Sequence, residues 1–201
     1  MTAHAEAPAH HGPPPANRSS RLDPATLGIL LFIASEAMLF GAFFTAYFFI
    51  RVVNPDADPW PLEPFELPRF VAGVNSAILL TSSFTMHWAL QSIKRENRAG
   101  LRAGLVLTFL LGLAFLLTQM IEYAHVGFNP SDGAFGTIFF GLTGLHGAHV
   151  FVGLTLLLIA TIRAFRGHFT AEHHHGVELP GIYWHFVDVM WIVVYATIYL
   201  L

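Results

Sequence analysis

Cysteine is absent from this 201-residue sequence. Its absence excludes disulfide bonds, thiolate-ligated metals and iron–sulfur clusters held by thiolates. Charge is also scarce, since 11% of the residues are charged and 54% are hydrophobic, whereas soluble domains average about 25% charged residues. No basic patch typical of nucleic-acid binding is present. The mean hydropathy of +0.56 therefore indicates a membrane protein.

Five long apolar runs dominate the sequence. About 20 helical residues cross a hydrocarbon core of roughly 30 Å, and each run is long enough. The sequence predicts an all-α, polytopic membrane protein, with helices at about 24–51, 70–93, 101–124, 134–165 and 181–201 forming one domain over 23–201. Asp23 is the predicted N-cap of the first helix. Residues 1–22, rich in Ala, His and Pro, are predicted to be a disordered cytoplasmic tail.

The basic residues are distributed unevenly between the two sides of the predicted bundle. One side holds Arg18, Arg21, Lys94, Arg95, Arg98, Arg102, Arg163 and Arg166. The other side holds Arg51 and Arg69, in or beside a Pro-rich connection whose acidic residues are Asp56, Asp58, Glu63 and Glu66. Because Lys and Arg remain cytoplasmic, we expect the N-terminus inside the cell, with that connection and the C-terminus outside.

Ionisable side chains inside the predicted spans are the candidate functional residues, because such groups normally face the bundle interior and have partners. They form a predicted buried polar network of Glu36, Glu122, His146, His149, His185 and Asp188. Residues three apart share a helix face. His146 with His149, and His185 with Asp188, could therefore ligate haem or copper, or could form hydrogen bonds to neighbouring helices. The second interpretation is favoured, since two pairs are few ligands for a redox centre. We therefore expect no catalytic residue and no bound redox metal.

Depth in the membrane suggests a partner for Glu36. It lies fifteen residues from the basic residue Arg21, and His149 lies fourteen from Arg163. At about 1.5 Å per residue, the two side chains reach the same depth. We predict a hydrogen bond between Glu36 and His149, with His146, one turn away, as the alternative partner.

Other side chains carry weaker expectations. Trp184, Trp191 and Tyr195 are interpreted as bundle core or possible lipid contacts rather than an electron relay. The run 173–175, three consecutive histidines, is expected in a solvated loop that ends at Pro180. Predicted interhelical hydrogen-bonding residues are Asn75, Ser82, Ser83, Thr118 and Gln119.

The residues of the last helix also carry a family resemblance. Residues 183–191, Tyr-Trp-His-Phe-Val-Asp-Val-Met-Trp, resemble the signature of subunit III of cytochrome c and quinol oxidases. Further similar stretches follow in the family's order: Ser35-Glu36, 79–83, Gln119 with Glu122-Tyr123, and 144–150. The resemblance covers about 27–201, and the five predicted helices resemble a short bacterial form that lacks the first two of the family's seven.

The resemblance implies an accessory subunit III in the bacterial cytoplasmic membrane. It would bind no haem or copper, and would pack beside catalytic subunit I, with subunit II in the same complex. Oxygen reduction and proton pumping would then occur in the partner subunits, which hold the haem and copper, and phospholipid would bind in a shared groove. Two alternatives remain open: a companion of a nitric oxide reductase, and a stand-alone proton or solute carrier. The carrier interpretation lacks the internal repeats typical of transporters.

Overall fold

A computed structural model describes residues 24–53 and 67–201. These residues form five α-helices: α1 Pro24–Val53, α2 Arg69–Lys94, α3 Arg98–His125, α4 Gly133–Phe165 and α5 His175–Tyr195. A π-helical segment, Ala196–Leu200, continues α5 to the end of the chain. The predicted tail, the Asp23 cap and the acidic residues of the Pro-rich connection lie outside the described residues.

The predicted all-α bundle is confirmed, and the ends of the first four helices lie within three residues of the predicted positions. The predicted start of the fifth helix is wrong, because α5 begins at His175 and contains Pro180. Proline has no backbone N–H, so it removes one hydrogen bond from a helix. Near the start of a helix the loss is small, because the N–H groups of the first turn have no partner within the helix. Glu178 lies in this first turn, where a carboxylate stabilises the positive end of the helix dipole. His175 is therefore helical and not part of a loop.

Four of the five helices are long and apolar enough to cross a membrane: α1, α3, α4 and α5 with its π-helical extension. The remaining helix, α2, has 26 residues, which is about 39 Å of helix. Its length is sufficient, but polar residues lower its hydropathy. Several of them, including Asn75, Ser76 and Ser82, are buried between helices, so they do not face lipid.

The helices pack in a fixed order of neighbours. Helix α2 packs along α3, α3 packs on α4, and α5 lies against both α2 and α4, while α1 contacts α4 and α5. Small residues permit this close approach. A Cβ atom added at Gly112 or Gly153 would lie 2.5 or 2.8 Å from the Trp184 indole. Trp184 therefore occupies a slot between α3 and α4 that larger residues would close.

Candidate functional site: polar side chains paired between helices

Glu36 of α1 and His149 of α4 form a direct interhelical contact. Their Oε2 and Nε2 atoms lie 2.8 Å apart, which is the hydrogen bond predicted from matched depth. The Nδ1 atom of His149 is 2.8 Å from the Leu145 carbonyl oxygen. Because a carbonyl only accepts, Nδ1 carries a proton. The contact between Nε2 and the Glu36 carboxyl group needs one further proton. That proton lies between the two side chains, which are both mostly buried.

A second contact joins α5 to α2 through Ser83. The Ser83 hydroxyl donates to Oδ2 of Asp188, and Nδ1 of His185 lies 2.9 Å from the same hydroxyl oxygen. A hydroxyl has one proton to donate, so the His185 Nδ1–H must donate to Ser83. The Ser83 hydroxyl therefore lies between His185 and Asp188 and links the two side chains.

Glu122 lies in the last turn of α3 and contacts the π-helical segment. The Tyr199 hydroxyl donates to its Oε1 atom over 3.1 Å. The neighbouring Tyr123 hydroxyl donates to Thr143 of α4 over 2.7 Å. These two bonds connect the end of α3 to the chain terminus and to α4. Beside them lies an open pocket of about 640 Å³, lined in part by Glu122, Thr118 and His125.

His146 occupies a different environment from the other predicted network members. Its side chain is 0% exposed. It packs between the Phe115 ring, at 5.7 Å between ring centroids, and the Trp191 ring, at 4.8 Å. Among the described residues, neither ring nitrogen has a hydrogen-bond partner. The alternative pairing of Glu36 with His146 is therefore not the one found.

Of the two interpretations of Trp184 and Trp191, the bundle core is the one found, because both side chains are 0% exposed. Their indole N–H groups donate to Ser82, over 2.9 Å, and to Ser76, over 2.8 Å. A buried indole is stabilised by such a partner, which explains why both rings face α2. Tyr195 is half-buried and stacks on Tyr199 with ring centroids 5.3 Å apart.

Ser76 was missed by the sequence reasoning, although a signal was present. The two tryptophans are seven residues apart on α5, and their serine partners are six apart on the antiparallel α2. Of the predicted interhelical groups, Asn75 donates to the Phe115 carbonyl over 3.2 Å. Thr118 instead donates to Ala114 within its own helix, so its predicted interhelical role is wrong.

The described side chains thus provide paired hydrogen bonds between helices. Within residues 24–53 and 67–201, no three His, Asp or Glu side chains come together in a way that could hold a metal ion. The helical fold and the apolar spans define a polytopic membrane protein. Its interior polar pairs connect neighbouring helices.

Comparison with known proteins identifies the family. The family model described as "Cytochrome c oxidase subunit III" matches residues 20–201. Similar proteins named cytochrome c oxidase subunit 3 include that of Loxodonta africana, 41% identical over 180 residues, covering 86% of this chain and 67% of the relative. That of Squalus acanthias is 39% identical over 197 residues, covering 94% and 72%. That of Thermostichus vulcanus is 39% identical over 176 residues, covering 87% and 86%.

The chain therefore belongs to the cytochrome c oxidase subunit III family. Family membership makes it a membrane subunit of an oxidase complex that contains other subunits.

Proposed function

We propose that this chain is the accessory subunit III of a bacterial proton-pumping terminal oxidase. It leaves oxygen reduction to a haem- and copper-bearing subunit I, with subunit II in the same complex. It supports subunit I by shielding its flank, holding lipid and keeping proton uptake functional. The observation that carries this proposal is the pairing of intramembrane polar groups across helices, as in Glu36 with His149.

The environment of the two α4 histidines, His146 and His149, supports a role without redox chemistry. A histidine that ligates a metal needs a free lone pair on one nitrogen. Both nitrogens of His149 are engaged, by Glu36 and by the Leu145 carbonyl. His146 is enclosed by the Phe115 and Trp191 rings. Haem and copper accordingly belong to the partner subunits in this proposal.

A cytoplasmic N-terminus and a location in the bacterial cytoplasmic membrane are part of the proposal, and α2 crosses the membrane with the other helices. In this orientation the junction of α2 and α5 faces the cytoplasm. There the Glu178 carboxylate lies 4.0 Å from the Lys94 amine and 3.5 Å from Nδ1 of His175. Ionisable side chains from both helices thus meet at the end of the bundle where the proposal places the support of proton uptake.

The surface of α1 supports the lipid-holding role. Along most of its length its large apolar side chains are exposed, as at Leu31 and Met38. Such a surface is stable against lipid tails or against another helix. A groove between α1 and subunit I would therefore hold phospholipid.

Comparing the purified complex with and without this chain tests the function. The depleted complex should keep its haem spectrum and initial oxygen reduction, while its proton uptake weakens and it inactivates over many turnovers. The loss should be measured at neutral and at alkaline pH, where proton supply limits the rate more strongly. Immediate loss of haem would instead assign the chain to cofactor assembly, and equal durability of the two preparations would contradict the support role.

Labelling of single cysteines tests the orientation. The experiment is simple because the sequence contains no cysteine of its own. A membrane-impermeant maleimide should modify Arg95→Cys from the cytoplasmic side and Asp58→Cys from the external side, read as a mass shift of this chain. The reverse pattern would contradict the proposed orientation.

A further inference from the structure

The polar residues of α2 divide into two sets with different surroundings. One set, including Asn75, Ser76 and Ser82, is buried inside the bundle. The second set, Ser83, His87 and Gln91, recurs every fourth residue and so follows one face of the helix. His87 is exposed, and Ser83 and Gln91 are half-buried. These three residues, together with the half-buried His185 of α5, are called the α2–α5 polar stripe.

The inner part of the stripe, Ser83 and His185, lies at the depth of the hydrocarbon core, whereas Gln91 lies three residues from the end of α2 and so near the core boundary. Ser83 is eleven residues from the end of α2 at Lys94, and His185 is ten from the start of α5 at His175. At 1.5 Å per residue, each lies roughly 15 Å inside its helix end. Helices of this length exceed the core of about 30 Å by only a few ångströms at each end. Lipid headgroups therefore lie well away from His185.

The hydrogen bonds of the stripe determine what His185 can accept. Its Nδ1–H donates to Ser83, whose hydroxyl donates to Asp188. In a neutral imidazole the second nitrogen then carries a lone pair. Nε2 of His185 is thus an acceptor, and no described residue donates to it. His87 has a contact of 3.5 Å with Gln91 on its own helix, which is at the limit of a hydrogen bond.

Lipid tails cannot satisfy Nε2 of His185, because hydrocarbon has no hydrogen-bond donor and polar groups at the depth of His185 normally face protein. Large apolar side chains border the stripe on α2, where Phe84 is 76% and Trp88 47% exposed. A polar centre beside aromatic side chains is typical of a helix-packing surface. The other subunits of the oxidase complex are the available source of such a helix.

We propose that the α2–α5 polar stripe docks a transmembrane helix of another oxidase subunit, and that this helix donates a hydrogen bond to Nε2 of His185. The proposal rests on the part of the proposed function that places partner subunits beside this chain. It does not depend on any role during turnover. The resting enzyme therefore tests the docking surface, whereas turnover experiments test the support role.

Cross-linking from His87 identifies what covers the stripe. Since the chain has no cysteine, His87→Cys can carry a benzophenone maleimide and be photolysed in the intact complex in native membranes. We expect an adduct between this chain and a different oxidase subunit. Adducts with lipid alone, or with a second copy of this chain, would overturn the proposal. Phe151→Cys, an exposed position on α4, gives the background yield from a surface outside the stripe.

Retention of the chain in the complex tests the hydrogen bond. Complex purified through a tag on a haem-bearing subunit should lose His185→Phe during detergent washing roughly threefold more readily than the unmodified chain, as one intramembrane hydrogen bond implies. His87→Leu alters an exposed side chain, keeps the fold and should also weaken retention. Thr81→Val is the matched control, because its hydroxyl bonds within α2. Equal losses for all three variants, or unchanged retention of His87→Leu, would overturn the proposal.

Discussion

Helices α1 and α5 illustrate two ways of holding a membrane helix. In α1, Phe40 and Tyr47 are the buried residues, whereas α5 buries both Trp184 and Trp191. Trp184 packs against Gly112 and Gly153, and both tryptophans donate to serines on α2, while α1 has an interhelical polar contact at Glu36. Lipid is as apolar as the helix surface, so association depends on packing and hydrogen bonds. We infer that α5 holds the bundle together and that α1 is attached more weakly.

The largest expected effect comes from removing the centre of the α5 packing. Trp184→Ala would leave a cavity between α3 and α4 and would remove the indole N–H that donates to Ser82, whose hydroxyl keeps its own bond to the Leu79 carbonyl. Large-to-small core changes of this kind cost about 3–5 kcal/mol. Hydrogen exchange of the purified complex should show loss of protection in α2, α3 and α5 together. Phe151→Ala, at an exposed position of α4, should leave protection nearly unchanged, and equal effects of the two variants would contradict the proposed role of α5.

A smaller and more local effect is expected at the α1 contact. Glu36→Ala removes the bond to His149 and should cost about 1–2 kcal/mol. Exchange should rise in α1 while α2 and α3 keep their protection. Ser35→Ala is the matched control, because its hydroxyl bonds to Phe32 in the same helix. Uniform loosening of all helices, or no change in α1, would show that α1 is not held by this contact.

The smallest effect should come from Ser76→Ala. It removes the acceptor of the Trp191 N–H while the indole stays enclosed by its neighbours, so a cost of about 0.6 kcal/mol is expected. The exchange rate of α5 amides near Trp191 should rise slightly, and α1 should not respond. A loss as large as that of Trp184→Ala would mean that hydrogen bonding, rather than packing, dominates α5.

The features predicted correctly depend on local or one-dimensional properties. Apolar runs determine the helices, and the fixed rise per residue placed Glu36 and His149 at one depth. Apart from the start of α5, the features that the sequence left open or predicted wrongly depend on the rotation of each helix about its axis. Which side of α5 faces α2 decides whether Trp184 and Trp191 contact lipid, and neighbouring helices determine that rotation. The same reason hid Ser83 as the link between His185 and Asp188, and the membrane orientation stays a prediction.

Purification through a tag on this chain tests the central claim most directly, that it is a supporting subunit of an oxidase complex. The purified complex should contain haem- and copper-bearing subunits and reduce oxygen. After the subunits are separated under mild conditions, the haem absorbance should remain with the partners and be absent from this chain. Haem that stays with the separated chain, or a chain that purifies alone and transports protons or solutes in vesicles, would contradict the claim.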